Sequence, residues 1–330
     1  MYVWNDSWLA TYDEEPLEPE LPIIDPHHHL WVRDGLPTYL LDELHADTGA
    51  GHRVEATVFM ECMWGYRDGG PEHLRPVGET ETVARLADGS GSTGAEIAGI
   101  VGFADLTHPA LGEALDAHVD AGRGRFRGIR HATAFDPDQR VRRTHTRPTP
   151  GLMGEAAFVD GVRALAARDM SFDAWLYHPQ IPELTALARA VPEGRLVLDH
   201  LGGLLGIGPY EGHRDAVLAR WRTDLTELAS CPNVTLKVGG IGMAVYGQRF
   251  EERSTPPASD DLLAVWGEPM RFAIEAFGPE RCMFESNFPV DKVSCTYVVL
   301  WNAFKKVSAD LSSTERARLF AGTARDVYRL

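Results

Sequence analysis

The segment Asp25-Pro26-His27-His28-His29 carries the clearest chemistry in this sequence. In an extended chain alternate residues share a face, so His27 and His29 point together and His28 points away. Two imidazoles projecting into one cleft make half of a metal site. The competing reading is a surface polyhistidine patch, which sits poorly with the apolar Ile23-Ile24 that lead into the triplet. A third histidine, His200, ends an apolar run and is followed by Gly202-Gly203. Alone it would as readily be a satisfied core group; beside the pair it becomes a ligand or a proton acceptor. His178, in Tyr177-His178-Pro179-Gln180, is the remaining candidate metal ligand.

Near the carboxyl end, Met283-Phe284-Glu285-Ser286-Asn287-Phe288-Pro289-Val290-Asp291 offers three polar groups. A carboxylate from Glu285 or Asp291 could ligate a metal or take a proton from an attacking water. Asn287 can hydrogen-bond but cannot act as a base. Basic chemistry gathers elsewhere. Arg123, Arg125, Arg127, Arg130, Arg140, Arg142, Arg143 and Arg147 stand against only Asp136 and Asp138, a local net charge of +6. Arginine grips carboxylates in a planar fork, so this segment reads as a receptor for a small anionic substrate, with Arg130 its foremost member. A solvated loop that pairs with acidic neighbours explains the cluster equally well. Lys237 is a second candidate cation for the substrate, and Glu61 and Trp64 are candidate lining residues.

These groups need a scaffold that brings distant segments together. Eight β-rich runs recur: Ile23–His29, Val54–Met60, Ile97–Leu106, Phe126–Arg130, Phe172–Tyr177, Leu196–His200, Val234–Val238 and Cys282–Phe284. Most are apolar throughout, as strands buried on both faces are. Helical patterns follow at 71–88, 111–121, 155–168, 182–190, 215–229 and 259–277, and two more at 296–307 and 313–328 close the chain. Repeated strand–helix units predict a (β/α)8 barrel, a single domain over 21–330 preceded by an extended arm over 1–20. An open doubly wound sheet would need a glycine-rich phosphate turn after an early strand, where this chain has histidines. Long loops at 133–153 and 239–258 then fall at the carboxyl ends of strands four and seven, the face where barrels build active sites.

Composition narrows the class. The 330 residues carry 32 basic and 48 acidic side chains, a net charge of −16. That argues against a nucleic-acid face or an anionic membrane surface. No apolar run reaches the roughly 18–20 residues of a membrane helix. Four cysteines without C-x-x-C spacing read as reduced core thiols, and the acidic start lacks a secretory pattern, so the expected location is the cytoplasm. Trp4 and Trp8 on the arm are expected to pack on the body or on a second copy, which makes a homodimer an expectation.

The motifs resemble the amidohydrolase superfamily, specifically its amidohydrolase-2 group of metal-dependent hydrolases. They are IIDPHHHLW (23–31), RGIRHATAFDP (127–137), VLDHLGG (197–203), MFESNFPVD (283–291) and GTARDVYRL (322–330). The resemblance implies a barrel with a divalent metal, zinc in the first instance, on His27 and His29. His178 or His200 would be the third ligand, and Arg130 would contact a substrate carboxylate. It implies hydrolysis of a lactone or similar ring ester or amide, of a carboxylate-bearing or phenolic substrate, by an activated water. Where the group has Ser-Asp-Phe-Pro this chain has Asn287, which removes a carboxylate; His200 or Asp291 then serves as base. Two alternatives use the same barrel: a decarboxylase of aromatic or unsaturated acids, and a non-catalytic binder of small acids, which Asn287 would favour.

Overall fold

The computed structural model describes residues 3–142 and 144–330; Arg143 of the arginine cluster and the first two residues of the arm lie outside them. Eight parallel strands stand in sequence order: β1 Ile23–His28, β2 Val54–Met60, β3 Glu96–Gly102, β4 Phe126–Ile129, β5 Ser171–Ala174, β6 Arg195–Leu198, β7 Val234–Gly239 and β8 Cys282–Glu285. The seam between β8 and β1 is closed by backbone bonds from Asn287 N to His27 O (2.9 Å) and from His29 N to Phe288 O (2.7 Å). The Asp25 carboxylate adds to it by accepting the Ser286 amide (3.0 Å) and the Tyr297 hydroxyl (2.9 Å). The protein is a single (β/α)8 barrel.

Around the strands run α1 Asp6–Leu9, α2 Leu41–Thr48, α3 Val77–Ala87, α4 Leu111–Ala121, α5 Ala156–Ala166, α6 Ile181–Ala190, α7 Arg214–Ala229, α8 Ser259–Phe277 and α9 Tyr297–Val307. The expected last helix is divided: α10 Ser313–Ala317 and α11 Thr323–Tyr328 flank a π-turn over Arg318–Gly322. The sequence pattern does not reveal α1 or α2, which are short and carry little apolar periodicity. Strand β3 stops at Gly102 rather than Leu106, because its partner β4 has only four residues and their pairing ends at Gly102 and Ile129.

The barrel interior is layered. Ile24, Val58, Met60, Val101, Val197 and Met283 form an apolar plug, covered by Val327 and Tyr328 of α11. Two residues beyond Val197 and Met283, and therefore on the same face, come Asp199 and Glu285. Outside the barrel, Phe284 stacks on Phe304 (4.6 Å) and meets Phe320 (4.9 Å), which fastens β8 to the closing helices. The arm folds back on its own chain. Glu14 accepts the Ser259 amide (2.7 Å) and the Asn302 amide group (2.9 Å), so α8 and α9 hold it. All four cysteines are free thiols. No helix among the described residues is long and apolar enough to cross a membrane.

Glu79 of α3 braces the loop after β2, accepting the amides of Cys62 (2.9 Å) and Trp64 (2.8 Å). Burial first, and then the charge of Glu61, push its carboxyl up to about 8. It therefore binds a proton in the folded state at pH values where the unfolded chain has released it. Stability contributed by this group falls as pH climbs from the ordinary carboxylate range to about 8. Glu79→Gln keeps an oxygen for both amides and removes the titration. The melting temperature of the variant relative to the wild type is expected to rise steadily between pH 6.5 and 8; a constant gap would contradict this account.

Candidate active site

The site is built at the carboxyl ends of the strands around one carboxylate. Glu285 ends β8 fully buried. Its Oε1 accepts the His200 amide (3.0 Å) and His200 Nδ1–H (2.7 Å), while Oε2 lies 2.8 Å from His27 Nδ1. The His200 imidazole is thereby fixed as its Nδ1–H tautomer, with Nε2 as the accepting nitrogen. His200 can reach Glu285 because its backbone is left-handed (φ 56°) and because Gly240 leaves room. A Cβ at Gly240, itself at φ 64°, would stand 2.3 Å from the His200 ring nitrogen. A non-glycine residue in the left-handed region is costly and concentrates at functional sites.

His29 is fixed from the other side. Its Nδ1–H donates to the Met60 carbonyl (2.8 Å), so Nε2 carries a lone pair. That lone pair faces His27 Nε2 at 3.3 Å and Asn287 Oδ1 at 3.3 Å. Asn287 presents oxygen because its amide group donates to Asp291 Oδ1 (2.8 Å), and Asp291 Oδ2 accepts the Gly242 amide (2.7 Å). His28 points away and meets Thr57 Oγ1 at 3.0 Å, as strand alternation requires.

Two cations sit among these groups. Lys237 is fully buried, 2.9 Å from Asp173 Oδ2, 3.0 Å from Asp199 Oδ1 and 3.3 Å from His27 Nδ1. Tyr328 of α11 also donates to Asp173. Arg130 donates Nε–H to Glu61 Oε1 (2.9 Å) and its Nη2 to the Glu61 carbonyl, leaving Nη1 3.2 Å from His27 Nε2. Burial works to raise Glu61, but His145 and Arg130 outweigh it and hold it at about 2. Burial holds His200 down at about 3, against the pull of Asp199, and keeps His27 and His29 well below their ordinary value. All three are neutral imidazoles at physiological pH.

The donor set fits a divalent cation. His27, Asp199 and His200 offer ligand atoms within 4.8 Å of one another, and His29 Nε2 with Asn287 Oδ1 adjoins them. Both carboxylate oxygens of Asp199 are buried with no hydrogen-bond donor. Among the described residues, four buried carboxylates (Glu61, Asp173, Asp199, Glu285) face two buried cations, Arg130 and Lys237. Burial pushes Glu285 up to about 8 and Asp199 above its ordinary range, the response of carboxylates short of positive charge. Imidazole and carboxylate donors suit zinc and its neighbours.

Above this floor opens a cavity of about 300 Å³ lined by His29, Trp31, Arg130, His145, Trp175, Tyr177, His200 and Asn287, among others. Several expected residues take other places. His178 does not join the ligands: its Nδ1 accepts the Leu205 amide (3.3 Å) and its ring packs on Tyr210. Its neighbour Gln180 instead pins the long loop, accepting the Phe135 amide (2.9 Å) and donating to Thr133 O (2.9 Å). Lys237 lies beneath the cavity and is spent on two aspartates. Glu61 sits behind Arg130, and Trp64 packs half-buried on the core. Asp291 is buried below Asn287, away from the cavity lining.

The arginine segment also divides. Arg123 and Arg125 precede β4, at the opposite end of the barrel, and pair with Asp88. Arg140 pairs with Asp138 (2.6 Å). Among the described residues of the cluster, only Arg130 and Arg142 line the cavity. Sequence reasoning passed over Asp173, Asp199 and His145. An acid inside an apolar strand is the signal that marks the first two.

The sequence pattern that defines the amidohydrolase family matches residues 24–330. The chain belongs to the amidohydrolase family. An uncharacterized protein, y4mH, of Sinorhizobium fredii is 33% identical, over 94% of this chain and 99% of its own length. An L-fucono-1,5-lactonase of Burkholderia multivorans is 29% identical, over 93% and 96%. A crystal structure of an amidohydrolase from Burkholderia multivorans with bound zinc superposes with a TM-score of 0.71 at 28% identity, covering 93% of this chain and 99% of that one. This amidohydrolase is, by its family, a hydrolase.

The Asn287–Asp291 contact yields a stability test. Asn287→Asp sets a second carboxyl 2.8 Å from the first in a dry site, and is expected to cost about 1–3 kcal/mol. Adding Asp291→Asn restores a donor and acceptor and recovers most of the loss. A thermal-melt cycle in which the two changes are merely additive would refute the pairing.

Proposed function

We propose that this amidohydrolase opens a lactone, using His200 as general base. The observation that carries this reading is the Glu285–His200 pair. A buried carboxyl 2.7 Å from Nδ1 aims Nε2 of a cavity-lining imidazole at the space where water and substrate meet. In the proposed reaction, water attacks the ring carbonyl and His200 Nε2 takes its proton. Glu285 steadies the imidazolium. The acyl carbon–oxygen bond of the ring then breaks, and His200 returns the proton to the departing alkoxide. Arg130 Nη1, the one guanidinium nitrogen not tied to Glu61, is placed to donate to the carbonyl oxygen as negative charge develops.

Zinc is the proposed ion, held by His27 and His29 with Asp199 or Asn287 in reach. Bound there it would supply Lewis acidity at the carbonyl. Support for zinc comes from the donor chemistry and from the zinc in the Burkholderia multivorans structure. Support for a lactone comes from the L-fucono-1,5-lactonase relatives. Arg33 and Arg142 on the cavity wall favour a substrate that also carries an anionic group.

Two measurements test this. Arg130→Gln and His200→Asn should each lower kcat/KM by roughly 10²–10³-fold on the best substrate from a panel of 1,5-lactones; unchanged turnover in both would sink the reading. Elemental analysis should find one divalent ion per chain, absent from a His27→Ala/His29→Ala double variant. An equal metal content in that variant would remove the pair from the site.

A further inference from the structure

The residues matched by the family pattern begin at 24, and the arm precedes them. Yet the arm reaches the site. Val3 lines the cavity. Behind it, Trp4 is only 7% exposed and meets Tyr39 edge-on at 6.0 Å. Lys292 Nζ lies over the rings of both, 5.8 Å and 5.7 Å from their centroids, and pairs with Asp47 at 2.8 Å. Asn5 caps α1 through the Trp8 amide (3.0 Å). Trp8 Nε1–H then donates to the Arg253 carbonyl (3.0 Å), in the long loop after β7. The arm is thus fastened at two points that follow Val3: at Trp4 to the loop before α2 and at Trp8 to the loop before α8.

What the arm adds is apolar. Val3 remains 48% exposed, and Met63, on the cavity wall after β2, remains 47% exposed. Among the described residues five large apolar side chains are exposed, and these two share one cavity. Met243, Val245, Val290 and Val293 continue the same wall, beside the charged Arg33, Arg142 and Glu251, whereas the floor is made of imidazole, amide and guanidinium. We propose that the arm is a specificity element of the active site: with Met63 it makes the mouth a seat for an apolar substituent on a ring ester whose polar ring faces the histidines. This rests on the lactonase reading for the floor of the site, but the seat itself is a separate claim.

The occupant is tested with 1,5-lactones bearing no, propyl or pentyl substituents at the carbon next to the ring oxygen, using the full-length protein. Burial of the chain should raise kcat/KM roughly fourfold per methylene until the wall is covered. Val3→Asp and Met63→Asp should each flatten that dependence, while Trp4→Ala, which frees the arm, flattens it less steeply than Val3→Asp. A wild-type series with no chain-length dependence, or an unaltered slope in Val3→Asp, would overturn the proposal. If no lactone is turned over, the lactonase reading falls. Calorimetric titration of the matching 5-hydroxyalkanoates then decides the seat on binding alone: Kd must fall with chain length in the wild type and not in Val3→Asp.

Discussion

A single dry carboxylate sets the geometry of this site. Glu285 takes the Nδ1–H and backbone amide of His200 with one oxygen and holds the other 2.8 Å from His27 Nδ1. A neutral imidazole presents a lone pair at one nitrogen only, so this side chain decides the tautomer of His200. The same contact requires the left-handed turn at His200 and the absence of a side chain at Gly240. Strain of that kind persists only where the surrounding structure over-determines it. Here the barrel seam does so, since β8 is pinned to β1 by backbone bonds and by Asp25.

The second constraint is charge. Burying four carboxylates with two cations would be prohibitive for isolated ions. The arrangement limits the cost by sharing. Lys237 serves Asp173 and Asp199 together, and Tyr328 satisfies Asp173 from below. The last helix of the chain therefore reaches the electrostatics of the site through the barrel interior. Arg130 is restrained by Glu61 in the same manner. Its Nε and Nη2 are committed to Glu61, which leaves Nη1 directed at the site where sequence reasoning expected a carboxylate clamp.

Much of this was legible in the residues. Buried strands read as apolar runs because parallel strands are covered on both faces, and the helices between them follow from their periodicity. His27 and His29 were legible because strand alternation is rigid. Two kinds of feature were not. A side chain that holds another residue leaves no periodic mark, so Asp173 and Asp199 pass as strand residues, and Glu285 looks equivalent to Asp291 until the turn at 286–290 separates them. Linear proximity also misleads across a strand. Arg123 and Arg130 are seven positions apart in the sequence, but β4 carries them to opposite ends of the barrel, and among the described residues of the apparent cationic patch only Arg130 and Arg142 reach the cavity.

The division of labour in the molecule follows from where rigidity is available. Strand ends are held by two neighbours each and can aim an imidazole to a fraction of an ångström, so the groups that move protons stand there. Loops and the arm are held by a few side-chain contacts, such as Gln180 on the loop after β4 and Trp8 on the loop after β7. These segments can change without disturbing the floor. A chain that keeps the family's interior while placing its own residues at the mouth would alter which molecule enters before it alters what happens to it.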